Sequence, residues 1–415
     1  MMRGPPPGEA AKADAPDVTV FIALLPAYIL SIFYRSFLSV IAGPVTADLG
    51  IGPAAFGLLG AAWFIAFALA QFPVGWALDR VGPRRTVAVA MAIGSAGAFL
   101  FAQAGGPLSA GIAMVLIGIG CSPIFMASLF LFARTAAPAR FGLLTSLFIA
   151  LGSLGNIAGA GPLAIAAAQF GWRGAMTAMA AAFLAATVLA VTLVRDPPAR
   201  PASTAPDEGL LQGLASILAL RPLWLIAPLT ITGYAIVATA RGLWIAPFMT
   251  QVHGFDAVSA GHAATIMAVA MIAGAFVYGW LESRTGRAKE IVAWGTVLTA
   301  IGFVALALSG QSSHLKAVAL FSLVGAAGFT YAILMAHARQ FFPEHLIGRG
   351  MTFVNFLFIA GAGAVQSASG WFIAQQRAGG LDAATTFANL HWAFAALLLV
   401  SVAVYALAPS RPAKA

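Results

Sequence analysis

A short charged turn is written twice in this chain, 204 residues apart, each time between long apolar runs. The first copy reads Gly75-Trp76-Ala77-Leu78-Asp79-Arg80-Val81-Gly82-Pro83-Arg84-Arg85, and the second Gly279-Trp280-Leu281-Glu282-Ser283-Arg284-Thr285-Gly286-Arg287-Ala288-Lys289. A turn repeated at that distance divides the chain into two halves that fold alike. The flanking runs have the roughly 20-residue length that a helix needs to cross a hydrocarbon layer about 30 Å thick. Twelve such runs can be read, near 19–43, 54–78, 86–104, 109–133, 141–166, 172–194, 222–249, 257–281, 291–309, 315–341, 348–375 and 386–408. With 61% hydrophobic and 8% charged residues, the chain is excluded from soluble globular domains, which carry about 25% charge.

The duplication recurs elsewhere. Arg134 and Pro138 reappear as Arg339 and Pro343, 205 residues on; Tyr28 and Arg35 reappear as Tyr234 and Arg241, 206 residues on. The expected organisation is therefore a cytoplasmic leader (1–17), a six-helix half (18–195), a Pro- and Ala-rich cytoplasmic linker (196–220) with an amphipathic helix over 210–218, a second six-helix half (221–408) and a cytoplasmic tail (409–415). Of the 22 basic residues, 17 fall on the side of the termini and three on the other. By the positive-inside rule both termini are cytoplasmic, and the net charge of +9 needs no nucleic acid to explain it. The leader lacks a small-residue cleavage site and is not read as a signal peptide. Cys121, the single cysteine, lies in an apolar run, which gives no disulfide and no metal cluster.

The loop Asp79, Arg80, Gly82, Arg84, Arg85, repeated in part by Arg284 and Gly286, resembles the cytoplasmic loop between the second and third helices of the major facilitator superfamily (MFS), although Pro83 interrupts its usual glycine-basic-basic run. The resemblance covers nearly the whole chain. It implies an all-α membrane protein of twelve transmembrane helices in two pseudo-symmetric halves. It also implies a secondary transporter working by alternating access, with Asp79 contacting a helix end of the other half to latch one state. The degenerate second copy, whose acid Glu282 is shifted by one position, leaves the equivalent contact open.

Arg35 and Arg241 are the central pair. Arg35 stands about 17 residues into its run, roughly 25 Å along a helix at 1.5 Å per residue. An arginine at such depth costs about 2.5–3.5 kcal/mol and faces a cavity or a partner; snorkelling to the surface is the competing reading. On a continuous helix Tyr28, Ser31 and Ser39 share the face of Arg35, and Thr230 and Trp244 fall near Tyr234 and Arg241. None of the thirteen acidic residues lies deep in an apolar run. At a separation of about 10 Å and an effective dielectric of about 20, two arginines repel by about 1.7 kcal/mol. An anion between them removes that penalty and adds charge-assisted hydrogen bonds. The expected cargo is thus a small organic anion, a carboxylate or phosphate ester, bound by Arg35, Arg241, Tyr28, Tyr234, Ser31, Trp244 and Asn156.

Coupling is open between anion exchange and proton co-transport. With no buried carboxylate, His337 is the titratable candidate for the latter, against the alternative of a helix-end histidine bonded to a carbonyl. Asn355 and Gln366 serve either a ligand or interhelical bonding. The fifth run, Gly152-Ser153-Leu154-Gly155-Asn156-Ile157-Ala158-Gly159-Ala160-Gly161-Pro162, only partly resembles the glycine-proline motif of MFS drug antiporters. Proton-coupled export of drugs or siderophores stays as the alternative, and a transporter-like ligand sensor as another. No catalytic constellation, cofactor or metal site is read. The chain is expected as a monomer in a bacterial inner membrane, with lipid and a small anion as its partners.

Overall fold

The computed structural model describes residues 15–135, 138–196, 216–343 and 347–410. Hydrocarbon offers no hydrogen bonds to a bare backbone, so the apolar runs close their own as helices. In the first half these are α1 (Ala15–Tyr34), α2 (Ala42–Leu49), α3 (Pro53–Arg80), α4 (Pro83–Ala102), α5 (Pro107–Thr135), α6 (Pro138–Gly152), α7 (Leu154–Ala158) and α8 (Gly161–Leu193). The second half holds α9 (Arg221–Thr239), a π-helical turn (Ala240–Trp244), α10 (Ile245–His253), α11 (Ala257–Thr285), α12 (Ala288–Ser309), α13 (His314–Gly328), α14 (Tyr331–Arg339), α15 (Ile347–Ala378) and α16 (Ala383–Ala406). The leader to residue 14, the linker over 197–215 and the tail over 411–415 lie outside the described residues; 216–218 form a helical turn.

Ten helical stretches are long and apolar enough to cross a membrane, and Val18–Tyr34 is a shorter apolar one. The longest stretch, 147–193, is broken into two helical parts at Gly171, whose φ of 71° only glycine adopts readily. Twelve crossings result, six in each half. Large apolar side chains such as Trp294, Phe276 and Leu69 face outward, while Arg241, Thr230, Ser31 and Gln366 are buried. The outside is oily and the polar groups are inside, as a lipid solvent requires.

Four crossings are broken at one level. The first ends its helix at Tyr34, and 35–41 turn without regular structure before α2; the run 19–43 is therefore not the continuous helix expected. The fifth is interrupted at Ser153 and again at Gly159–Ala160, the seventh by the π turn, and the tenth at Phe329–Thr330. Broken helices free backbone groups, and such segments persist in a membrane only where protein or a cavity receives them.

The halves meet along two seams. In one, α3 packs on α15: a Cβ at Gly57 would stand 2.7 Å from Gln366 O and 2.8 Å from Gly370 Cα, so the glycines set the closeness of the backbones. In the other, Gly161 N–H donates to Thr265 Oγ1 at 2.8 Å, joining α8 to α11.

Candidate functional site

The breaks in the first and seventh helices lean on each other. Ser39 N–H donates to Gly242 O at 3.1 Å, and Ser39 Oγ donates to Arg241 O at 3.1 Å. The segments are in van der Waals contact here: a Cβ at Gly242 would lie 3.4 Å from Arg35 O and 3.5 Å from Ser36 Cα. A π turn widens the helix by one residue per turn and leaves a carbonyl weakly held, and Ser39 takes what is freed. The two repeated arginines are therefore carried on the two segments that join the halves.

Their side chains find polar but uncharged partners. Arg35 Nη1 donates to the Tyr234 hydroxyl at 3.3 Å, and Arg241 Nη2 donates to Asn156 Oδ1 at 2.7 Å. Both bonds cross between halves. Arg35 also stands over the rings of Trp63 and Phe67, with 5.5 and 5.6 Å from Cζ to the ring centroids, a cation–π arrangement. Arg241 is 5% exposed, and the Nε of each arginine has no hydrogen-bond partner among the described residues. Among the described residues no carboxylate pairs with either guanidinium. The two are near enough for their like charges to act on each other.

Tyr331, which the sequence did not single out, belongs to this level. It opens α14 just past the break in the tenth helix, its hydroxyl donates to Asn355 Oδ1 at 2.7 Å, and its ring lies 5.6 Å from that of Tyr234. The available signal was the repeat: Tyr331 follows Phe125 by the same 206 residues that separate Tyr234 from Tyr28, and Phe125 stacks on Tyr28 at 5.3 Å. Phe358 completes the wall, 4.5 Å from Tyr331 between ring centroids.

Other expected site residues stand elsewhere. Ser31 is set against the Cys121 thiol in the core of the first half. Ser39 leaves the face of Arg35 because the helix has ended, and binds the other half instead. Trp244 turns away from Arg241: its indole N–H donates to Ser369 Oγ at 2.8 Å, and its ring meets Phe56 and Phe387 at 6.0 and 6.2 Å. The π turn rotates everything after it, so spacing on an ideal helix misplaces Trp244. Together with Ser39 it lines a separate cavity of about 510 Å³ at the end of the bundle away from the termini, with Arg377 on its wall.

His337 is removed from the arginines. Its Nδ1 meets the Tyr405 hydroxyl at 2.8 Å and its Nε2 the carbonyl of Pro409 at 3.1 Å, between α14 and the chain's end. Both nitrogens are engaged as in a neutral, Nε2-protonated ring. This is the geometry of the helix-end alternative that the sequence leaves open beside proton coupling.

In the charged turn, Gly82 and Gly286 have φ of 97° and 63°, which accounts for glycine in both copies. Arg84 works within its own half: its backbone N–H donates to Asp196 Oδ1 at 2.8 Å and its Nε to Val191 O at 3.1 Å. Arg284 lies over Trp280 of its own helix, 4.5 Å from the ring centroid. Arg80 and Arg85 are exposed, and the Asp79 side chain lies outside what the structure describes. The acid seated at this loop is Asp196, which the sequence reading had placed in the linker.

The family model of the Major Facilitator Superfamily matches residues 24–246 and again 231–415. The uncharacterized transporter YybO of Bacillus subtilis (strain 168) is 25% identical over 270 residues, a match that spans 61% of this chain and 62% of that protein's length. Among solved structures, the chain is similar to a bacterial homolog of the human lysosomal transporter Spinster in an inward-facing, unoccupied conformation, with TM-score 0.81 and 18% identity over 97% of this chain and 100% of that one. It is also similar to the nucleoside transporter NupG, with TM-score 0.77 and 13% identity over 94% and 100% of the two chains. At these identities the structural likeness is one of fold.

Proposed function

Because the chain belongs to the Major Facilitator Superfamily, and is thus a multi-pass membrane protein and secondary transporter without enzymatic activity, we propose that its cargo is a small organic anion, a carboxylate or phosphate ester, held between Arg35 and Arg241. One observation carries this reading: two guanidinium groups, that of Arg241 buried and that of Arg35 half-buried, lie on the broken segments of the first and seventh helices and have only neutral hydrogen-bond partners among the described residues. A cation held in low dielectric without a counterion is costly, and an anion arriving between the two removes the cost for both. Charge-assisted bonds to its oxygens then draw on the guanidinium N–H groups, Arg241 Nε–H among them, which has no partner among the described residues. Tyr234 and Asn156 hold the arginines and, with Tyr331, border the cargo; Tyr28, seven residues before Arg35, borders it from the first half.

The site also suggests how binding becomes movement. Each arginine is bonded to a residue of the opposite half, so an anion that takes over those N–H groups loosens the ties that hold the halves together. Binding energy is then different in the two conformations, which is the condition for a ligand to shift an equilibrium. With His337 tied down far from the site, exchange of one anion for another, or a proton travelling on the substrate itself, is favoured over a protein-borne proton. Both termini are assigned to the cytoplasmic side of a bacterial inner membrane on charge distribution.

The experiment is counterflow in proteoliposomes. Labelled carboxylates and phosphate esters are offered to wild type and to Arg35→Ala/Arg241→Ala. Saturable counterflow that the double substitution abolishes is expected. Anion counterflow that survives the double substitution removes the arginines from the site, and high-affinity anion binding with no counterflow makes the protein a sensor.

A further inference from the structure

Behind Arg35 lies a second, much smaller space, lined among others by Tyr34, Arg35, Gly60, Trp63, Gly242 and Gln366, with a volume of about 10 Å³ for the centre of a water molecule. That is room for one water and for no organic cargo. Four buried atoms of the lining residues have no hydrogen-bond partner among the described residues: Arg35 Nε, Gln366 Oε1, the Tyr34 hydroxyl and Trp63 Nε1, whose N–H is a second donor. Their chemistry is complementary. The guanidinium N–H only donates, the amide oxygen only accepts, and a hydroxyl does either. A buried polar group left unpaired carries its full desolvation penalty, so a molecule that accepts from one and donates to another relieves several penalties at once.

Gln366 comes from α15, in the second half, and is 2% exposed. It reaches the first half because Gly60 has no side chain: a Cβ at Gly60 would collide with Gln366 Oε1 and lie 3.1 Å from Cδ. Arg35 comes from the first half. We propose that this cavity binds one structural water, which accepts from Arg35 Nε, donates to Gln366 Oε1 and so links the two halves in the conformation in which α3 packs on α15, here called closed. The bridge forms only while α3 and α15 are packed as they are here, and it does not depend on which cargo the larger site takes.

The test uses the purified full-length protein, crystallised in chloride and in bromide at a resolution that shows waters. A single-atom peak within about 3.2 Å of both Arg35 Nε and Gln366 Oε1, without a bromine anomalous signal, is expected. A bromine signal at that place, or a Gln366 amide bonded directly to Arg35 with no peak between them, overturns the proposal. A second measurement reads the conformational role through spin labels at positions 52 and 381, on the rims of the two halves. Gln366→Leu is expected to raise the ratio of open to closed distances about tenfold, the value of a hydrogen bond to a charged group. Gln366→Glu, which keeps an acceptor and adds a charge that attracts Arg35, is expected to leave the ratio at or below that of wild type. An unchanged ratio in Gln366→Leu, or an equal rise in both variants, overturns the conformational role.

Discussion

Asn156 Oδ1 accepts a hydrogen bond from Arg241 Nη2 at 2.7 Å, so a neutral amide of the fifth helix holds the cation of the seventh. The choice of amide over acid is informative. Asn156→Asp keeps the shape and adds a resident counterion, worth about 4 kcal/mol at 4 Å and an effective dielectric of about 20. The cargo must then compete with it. We expect Asn156→Asp to weaken anion binding about 100-fold or more, and Asn156→Ala only several-fold, as read by calorimetric titration with a transported anion. Equal effects from the two would separate Asn156 from the electrostatics of the site.

Tyr331 stands to Tyr234 as Phe125 stands to Tyr28, but only the second-half pair has a hydroxyl on both rings. That hydroxyl fixes Asn355. Tyr331→Phe leaves the packing on Phe358 intact and removes a bond with a net value of about 1 kcal/mol. The expected result is a KM for anion raised about fivefold with protein stability little changed. A large drop in Tm would place Tyr331 in the fold and not in the site.

Asp48, Asp256 and Asp382 lie at the end of the bundle away from the termini, and each is held below the usual carboxylate range. For Asp48 the Trp172 indole N–H and the Arg173 guanidinium are responsible. For Asp256 and Asp382 the donors are Ser259 and Thr385 at the starts of α11 and α16. A depressed folded value means that the stabilisation is complete above the unfolded value of about 3.9 and is lost as pH falls through the lower folded one. Thermal unfolding of wild type should therefore be flat near neutrality and fall below about pH 4. Asp48→Asn should reproduce part of that loss at pH 7. Since none of the three changes charge between pH 5 and 8, a transport rate that titrates in that window does not come from these acids.

At Gly57 and Gly370 the backbones of α3 and α15 touch, with nothing but hydrogen between them. Gly57→Val inserts three carbons where the nearest backbone atoms leave 2.7 Å, and overpacking of that kind costs about 1–3 kcal/mol. The cost falls only on the conformation in which the helices meet. Labels at positions 52 and 381 should report an open-to-closed ratio raised at least about fivefold, and transport should slow because the closed state must be revisited in every cycle.

The architecture was legible because lipid imposes a simple rule on sequence: apolar runs of fixed length, charge confined to turns and, here, a turn copied 204 residues on. The pairing of Arg35 with Arg241 followed from the same copy. What spacing could not give was the consequence of broken helices. A reading at 3.6 residues per turn carries Ser39 and Trp244 onto the arginine faces, yet the first helix stops at Tyr34 and the seventh widens at 240–244, so both residues point elsewhere. The role of His337 stayed open for another reason: its partners Tyr405 and Pro409 are about 70 residues away in sequence, and no local pattern announces them. Gly82 and Gly286, by contrast, were readable as a pair because the same left-handed backbone is needed in both copies.

Asp196 offers the last test, because it caps a helix that begins in the charged turn. Its Oδ1 accepts from the backbone N–H of Arg84 in the first turn of α4, where the helix dipole favours a negative charge. The same carboxylate fills the space beside Gly82, where a Cβ would stand 2.7 Å from Oδ1. Two substitutions should therefore converge. Asp196→Ala removes the cap at a cost of about 1 kcal/mol, and Gly82→Ala both strains a φ of 97° and pushes the carboxylate away, so it should cost more. If the effects act through one contact, the double variant should be no worse than Gly82→Ala alone in thermal unfolding. Additive losses would mean that the cap and the turn are independent. A further loss of transport in Asp196→Ala at unchanged Tm would make the contact between the sixth helix and the turn part of the transport cycle.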